Sequence, residues 1–173
     1  MDSQQEQLGK TIAESRVMLS QFMNIDHANA QGNVHGGSIM KLADEAGALA
    51  AMRHARCNVV TVVMDSMTFM EPIYVGNVVT LRAELTYVGT TSMEARVEVT
   101  AENPLTGNTT TTNTAYLVYV AIDHHGRPQP VPPLIAKTEE ERARMQEAQE
   151  RQQYRKQQRQ REQQARLRQK SAR

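Results

Sequence analysis

The chain has 173 residues, a formal net charge of +1, 39% hydrophobic residues, no tryptophan and two phenylalanines, enough for one domain with a real core and too short for two ordinary ones. Its apolar stretches, such as residues 59–64, fall far short of the roughly 20 residues that cross a bilayer, so no membrane insertion is expected. The polar start at residues 1–9 lacks the basic opening and apolar run of a signal peptide, which points to a cytoplasmic protein, and the single Cys57 is compatible with a reducing compartment.

In chain order, residues 14–23 read as an opening strand, and a polar loop with Gly32 follows over residues 24–33. From Gly36-Gly37 to Arg53 nearly every residue is a good helix former, with Ile39, Ala43, Ala46 and Ala50 at helical spacing. One long helix of small residues is expected there. Residues 59–69, 78–88, 93–100 and 109–122 are rich in β-branched and aromatic side chains and read as strands. Alternation predicts that Val79, Leu81, Ala83, Leu85 and Tyr87 point one way, as do Met93, Ala95, Val97 and Val99. Pro72, Gly76-Asn77, Gly89 and the segment 103–108 supply turns, which favour antiparallel hairpins. The order of strand, long helix and four strands predicts an α+β domain with one antiparallel sheet wrapped around a central helix.

Composition changes near residue 137. Residues 1–137 carry nine Lys/Arg against thirteen Asp/Glu, and residues 138–173 eleven against six, so net charge moves from −4 to +5. Residues 12–127 are thus assigned to the folded domain, 128–137 to a connector stiffened by Pro128, Pro130, Pro132 and Pro133, and 138–173 to a charged tail. The tail, dense in Gln, Arg and Glu, reads as a solvated helix or as disorder. Its basic end has few aromatic platforms for bases beyond Tyr154, so nucleic acid is not expected as a partner.

Asp44 is the residue on the long helix that most asks for an explanation. At about 100° per residue its neighbours are Met40, Gly47, Ala48 and Ala51, all apolar or small. Such a carboxylate is either a tolerated edge residue or a placed functional group. Just before the helix, Gly36, Gly37 and Ser38 offer unpaired N–H donors that can hold a carbonyl oxygen or oxyanion, or else form a plain entry capped by Ser38. His35, His54 and His124-His125 are too scattered for a metal set, no G-x-S-x-G elbow is present, and neither glycine-rich phosphate loop occurs. Any catalysis falls on carboxylate and amide.

Together, Asp26-His27-Ala28-Asn29, Gly32-Asn33-Val34-His35-Gly36-Gly37 and Asp44-Glu45-Ala46-Gly47 resemble the signature of the acyl-CoA hydrolase branch of the hotdog-fold thioesterases. The likeness continues through Met64-Asp65-Ser66-Met67-Thr68-Phe69, Pro72-Ile73, Glu84-Leu85-Thr86-Tyr87 and Asn103-Pro104-Leu105-Thr106-Gly107, covering about residues 15–133. The resemblance implies hydrolysis of fatty acyl-CoA to fatty acid and CoA, with Asp44 as general base or nucleophile and Asn29 orienting water or substrate. The Gly36 and Gly37 N–H groups would receive the oxyanion, and no cofactor or metal is required. It also implies a dimer with active sites at the subunit interface, where Asp44 and Asn29 meet, and assembly to a trimer of dimers, a hexamer. The small-residue face of Ala46, Gly47 and Ala50, expected to be only partly covered in one subunit, fits that dimer. Thr91 and Ser92 resemble the segment near which the family accommodates the nucleotide end of CoA; a plain hairpin turn is the other reading. The rival function is an acyl-CoA-binding sensor or carrier without turnover.

Overall fold

A computed structural model describes residues 8–171, with side chains through residue 167; the polar start before Leu8 and the basic last side chains of the tail lie outside the described residues. Two compact units divide between Ile135 and Ala136. The first contains β1 (Lys10–Thr11), α1 (Ile12–Ser15), β2 (Val17–Phe22), α2 (Gly36–Ala55), β3 (Asn58–Phe69), β4 (Val78–Val88), β5 (Ser92–Glu102), β6 (Thr109–Ile122) and β7 (Leu134–Ile135). β2 to β6 form one antiparallel sheet in the order β2-β4-β5-β6-β3. α2 packs against all five strands, which is the hotdog arrangement.

α2 lies close to the sheet because its inward positions are small. Ile39, Leu42, Ala43, Ala46, Gly47, Ala50, Ala51 and His54 are buried along it, a broad stripe at helical spacing. Across from them stand Val79, Leu81, Ala83 and Leu85 of β4, Met93, Ala95, Val97 and Val99 of β5, and Ala115, Leu117 and Tyr119 of β6, all fully buried. Arg56 ends the helix in the left-handed conformation, φ 57°, and its N–H donates to Met52 O at 2.8 Å. A basic residue in the place usually taken by glycine also suits the negative end of the helix dipole.

Four expectations change. The opening segment is not strand throughout: α1 occupies its first residues, with Glu14 Oε2 accepting from the N–H of Thr11 at 2.7 Å, a capping box that outweighs strand propensity. Tyr87 does not join Leu85, because the β4–β5 register shifts between them and Tyr87 pairs with Glu94 on the outer face; the bulge at Thr86 reverses the alternation. Ala46, Gly47 and Ala50 are buried within one chain, so they leave no face for a partner. The apolar residues α2 exposes are Met40, Leu49 and Met52. Finally, Ser38 does not cap α2; His35 does, with Nδ1 accepting from the N–H of Gly37 at 2.9 Å.

Residues 128–135 run back along the first unit, with Val131 N–H donating to Thr90 O and Lys10 N–H to Pro133 O. β7 ends there as the parallel partner of β1, Lys10 opposite Leu134 and Thr11 opposite Ile135. The second unit contains α3 (Glu139–Ser171), opened by a capping box in which Thr138 Oγ1 accepts from Glu141 N–H and Glu141 Oε2 accepts from Thr138 N–H. Three glutamates in its first turn favour the positive end of the helix dipole. No helix among the described residues is long and apolar enough to cross a membrane.

Candidate functional site

Asp44 sits on the half-buried flank of α2, facing β3 and β6. Its Oδ1 accepts two side-chain hydrogen bonds, from Thr61 Oγ1 at 2.7 Å and from the Tyr119 hydroxyl at 3.2 Å. The same hydroxyl lies 3.0 Å from the Asp44 carbonyl oxygen. Thr61 and Tyr119 are direct cross-strand neighbours, and the next residue on β3, Val62, is a bulge where the register slips. A bulge beside a paired residue re-aims the strand, and here both hydroxyls converge on one oxygen. Asp44 Oδ2 has no hydrogen-bond partner among the described residues.

Gly47, one turn along α2, makes this contact possible. A β-carbon there would lie 2.4 Å from the Tyr119 hydroxyl oxygen. Burial, then the neighbouring Asp44 carboxylate, push the Tyr119 phenol far above its ordinary range. Tyr119 therefore stays protonated and serves as a hydrogen-bond donor at any working pH.

Asn29 is held locally. Its Oδ1 accepts from the N–H groups of Gln31 and Asn33, at 2.9 and 3.2 Å, while Asn29 N–H donates to Asn33 O at 2.7 Å. Its acceptor is occupied by its own loop, which leaves Nδ2 as the side-chain group free to donate. Asn29 and Asp44 share no hydrogen bond within the chain among the described residues.

The two glycine N–H groups differ. Gly37 already donates to His35 Nδ1, whereas Gly36 N–H has no acceptor among the described residues. The Phe69 ring covers Gly36, its Cζ 3.1 Å from where a β-carbon would be. Phe69 pairs with Asn113, whose Oδ1 is buried without a hydrogen-bond partner while its Nδ2 donates to Thr68 O at 2.8 Å.

Thr91 and Ser92 form the β4–β5 turn, with Gly89 N–H donating to Ser92 O and Ala121 N–H to Thr91 O. Met93, Tyr119 and Thr61 stand in one row across β5, β6 and β3. The turn thus lies at the same end of the sheet as the Asp44 clamp, two strands away. Ser92 alternates with buried Met93 and points to the opposite face.

Thr61 and Tyr119 were missed by sequence reasoning. Each reads as ordinary strand filler, and only the β3–β6 register brings them to Asp44. Arg53 and Arg16 are engaged elsewhere: Arg53 donates to Arg16 O, and Arg16 pairs with buried Glu84 at 2.9 Å. No group of three His, Cys, Asp or Glu side chains among the described residues is placed to hold a metal ion. At the far end of α2, His54 is fully buried, with Nε2 2.8 Å from Pro132 O and Nδ1 unpartnered. Burial holds the imidazole below its usual pKa, against the raising effect of the Pro132 carbonyl.

Residues 31–108 match the family model described as the thioesterase superfamily. The Bacillus subtilis protein named as an uncharacterized acyl-CoA thioester hydrolase, YkhA, is 38% identical over 128 residues, which are 74% of each chain. Among solved structures, an apo-hexameric acyl-CoA thioesterase superposes with a TM-score of 0.84 at 36% identity, covering 87% of this chain and 97% of the other. The acyl-CoA hydrolase of Staphylococcus aureus, solved with butyryl coenzyme A, coenzyme A and coenzyme A disulfide, gives 0.82 at 30% identity, covering 90% and 95%. That enzyme has also been solved with an aspartate, an asparagine and a threonine each replaced by alanine.

Proposed function

The chain belongs to the thioesterase superfamily, as an acyl-CoA thioester hydrolase with the hotdog fold, and from that premise we propose that Asp44 and Asn29 carry its catalysis. The observation behind the reading is the Asp44 carboxylate: Oδ1 is fixed by Thr61 and Tyr119, and Oδ2 is left open. A fixed carboxylate with one free oxygen can take a proton from water as that water adds to the thioester carbon, or can attack the carbon itself. The developing oxyanion needs donors. Gly36 N–H and Asn29 Nδ2 are available for it, while Gly37 N–H serves only if His35 releases it. When water attacks, collapse of the tetrahedral intermediate expels the CoA thiolate, which takes the proton that Asp44 removed from the water, and releases the free acid. When Asp44 attacks directly, collapse expels the thiolate and leaves an acyl–Asp44 anhydride, which a water then hydrolyses to the free acid, giving its remaining proton to the thiolate. Thr91 and Ser92 are proposed to lie near the nucleotide end of CoA.

The active unit is a homodimer at least. Support comes from β3, a twelve-residue edge strand with exposed Val60, Val62 and Phe69, the kind of edge that pairs with another chain. Met40, Leu49 and Met52 add exposed apolar surface on α2. In such a dimer Asn29 reaches Asp44 of the partner subunit, and the hexameric relative supports a trimer of dimers. The enzyme works in the cytoplasm on this reading.

Thiol release across an acyl-CoA chain-length series tests the mechanism. Asp44→Asn should bind substrate yet lose about 10² to 10⁴ in turnover, the usual worth of general-base help. Mixed dimers of Asp44→Asn with Asn29→Ala subunits, once exchange is verified, should regain activity if the site is composite. Unchanged turnover in Asp44→Asn would end the proposal.

A further inference from the structure

Phe69 ends β3 with its side chain exposed. Single exposed apolar residues are ordinary, but the backbone of this one is held on both sides by β6. Asn113 Nδ2 donates to Thr68 O at 2.8 Å, and Met70 N–H donates to Thr112 O at 3.0 Å. The held strand end brings the tip of the ring onto the first residue of α2: Cζ, Cε1 and Cε2 lie 3.1, 3.3 and 3.8 Å from where a β-carbon of Gly36 would be. A glycine there lets the ring approach the helix backbone closely, and any side chain would press on it.

Asn113 is an unfavourable residue for its own position. It is fully buried, with apolar Val99 opposite it on β5, and its Oδ1 has no hydrogen-bond partner. A buried acceptor without a partner destabilises the fold, a penalty that an apolar side chain would avoid. What the asparagine adds is a bond to the peptide that joins Thr68 to Phe69.

Gly36 opens α2, and its N–H has no acceptor among the described residues. We propose that Phe69 is a positioning residue for the oxyanion, with Asn113 setting its place: the ring fixes the Gly36 peptide and keeps water from its N–H. A donor already oriented and shielded from water stabilises developing charge more than a hydrated one does. The inference rests on the reading above that Gly36 N–H receives the oxyanion. Gly36 follows the loop of Asn29, which is tied back to it by His35 N–H donating to His27 O at 2.7 Å. Asp44 of the same chain lies eight residues farther along α2, roughly 12 Å at about 1.5 Å per residue. The ring therefore serves the thioester attacked by Asp44 of the partner subunit.

Thiol-release kinetics on enzyme whose assembly has been checked by sedimentation test this. Phe69→Leu and Asn113→Leu should each lower kcat about tenfold, part of the roughly 10² to 10³ that one oxyanion donor is worth, with KM changed less than about twofold. Asn113→Leu also removes the unpartnered acceptor, so its urea midpoint should hold or rise while kcat falls, a split that a purely structural role does not produce. Either variant carries the test if the other fails to fold or assemble. Gly36→Pro deletes the N–H at the first helical position, where proline is tolerated, and separates this inference from the reading beneath it. A depressed kcat in Gly36→Pro beside an unchanged kcat in Phe69→Leu and Asn113→Leu would overturn the role of the ring and leave the Gly36 donor standing. A wild-type kcat in Gly36→Pro would remove the donor and the proposal with it. The combined Gly36→Pro/Phe69→Leu enzyme should lose no more than Gly36→Pro alone; losses that multiply would show that the ring acts elsewhere and would also overturn the proposal.

Discussion

Asp44 and Asn29 are fixed in opposite ways. Thr61 and Tyr119, which hold Asp44, stand 17 and 75 residues away along the chain, and their convergence depends on the register of two strands and the bulge at Val62. Asn29 is fixed by N–H groups no more than four residues away. A group held by tertiary contacts inherits the rigidity of the whole sheet, whereas one held by its own loop keeps its geometry only as well as that loop does. In the proposed mechanism the carboxylate, which has to meet a reactant at a set angle, is on the rigid element, and the amide, which can follow the substrate, is on the loop.

The contrast is tested most severely at Gly47. Gly47→Ala places a β-carbon against the Tyr119 hydroxyl, and because both helix and buried ring resist moving, overpacking should cost about 1–3 kcal/mol in urea denaturation. Turnover should fall with it, since the ring can yield only by withdrawing its hydroxyl from Asp44. Thr61→Val is milder for the fold but removes one bond to a charged acceptor, worth about 1.5–3 kcal/mol. Its kcat should drop by roughly 10- to 100-fold with KM little changed. A wild-type kcat in Thr61→Val would show that Tyr119 alone holds Asp44.

Asn29→Asp separates the loop role of that residue from its chemical role. The substitution keeps Oδ1 for Gln31 and Asn33 and removes the Nδ2 donor. It should depress turnover as much as Asn29→Ala, yet only the alanine variant should loosen the loop, as faster amide exchange at residues 31–33. If Asn29→Asp hydrolyses normally, the amide serves the loop alone.

The smallest effect is expected where α2 is tied down by distant partners at its other end. His54 is neutral and buried, so folding is most favourable above its ordinary pKa of 6.5 and is lost as pH falls through the lowered folded value. Lys10, whose Nζ donates to His54 O, and Glu14 are the other charged groups that act on it. His54→Gln should flatten the drop in stability between pH 7 and pH 5, read from urea midpoints. An unchanged slope would assign the acid sensitivity to other groups.

What was legible in the sequence follows the same division. Helix α2 and strands β4 and β6 announce themselves through local means: glycine entry, helix-forming runs, β-branched stretches and turns such as Gly76-Asn77. Asp44 stood out because its neighbours three and four residues away are apolar or small. Thr61 and Tyr119 did not, since nothing near either hints at the other until β3 and β6 are aligned. The bulges at Val62 and Thr86 carry no distinct residue signature, so Tyr87 was read onto the wrong face. The direction from which the sheet covers α2 is likewise tertiary, which is why Ala46, Gly47 and Ala50 passed for an open surface.

The small parallel pair β1–β7 has a mechanical consequence. Lys10 opposite Leu134 and Thr11 opposite Ile135 run in the same direction, so tension applied between residue 8 and residue 136 pulls the two strands along their length in opposite senses. The load falls first on this clasp, in shear, before it reaches the five-stranded sheet or α2. A tug transmitted through the tail would strain the seam that joins the two ends of the first unit and leave the geometry around Asp44 undisturbed until that seam parts.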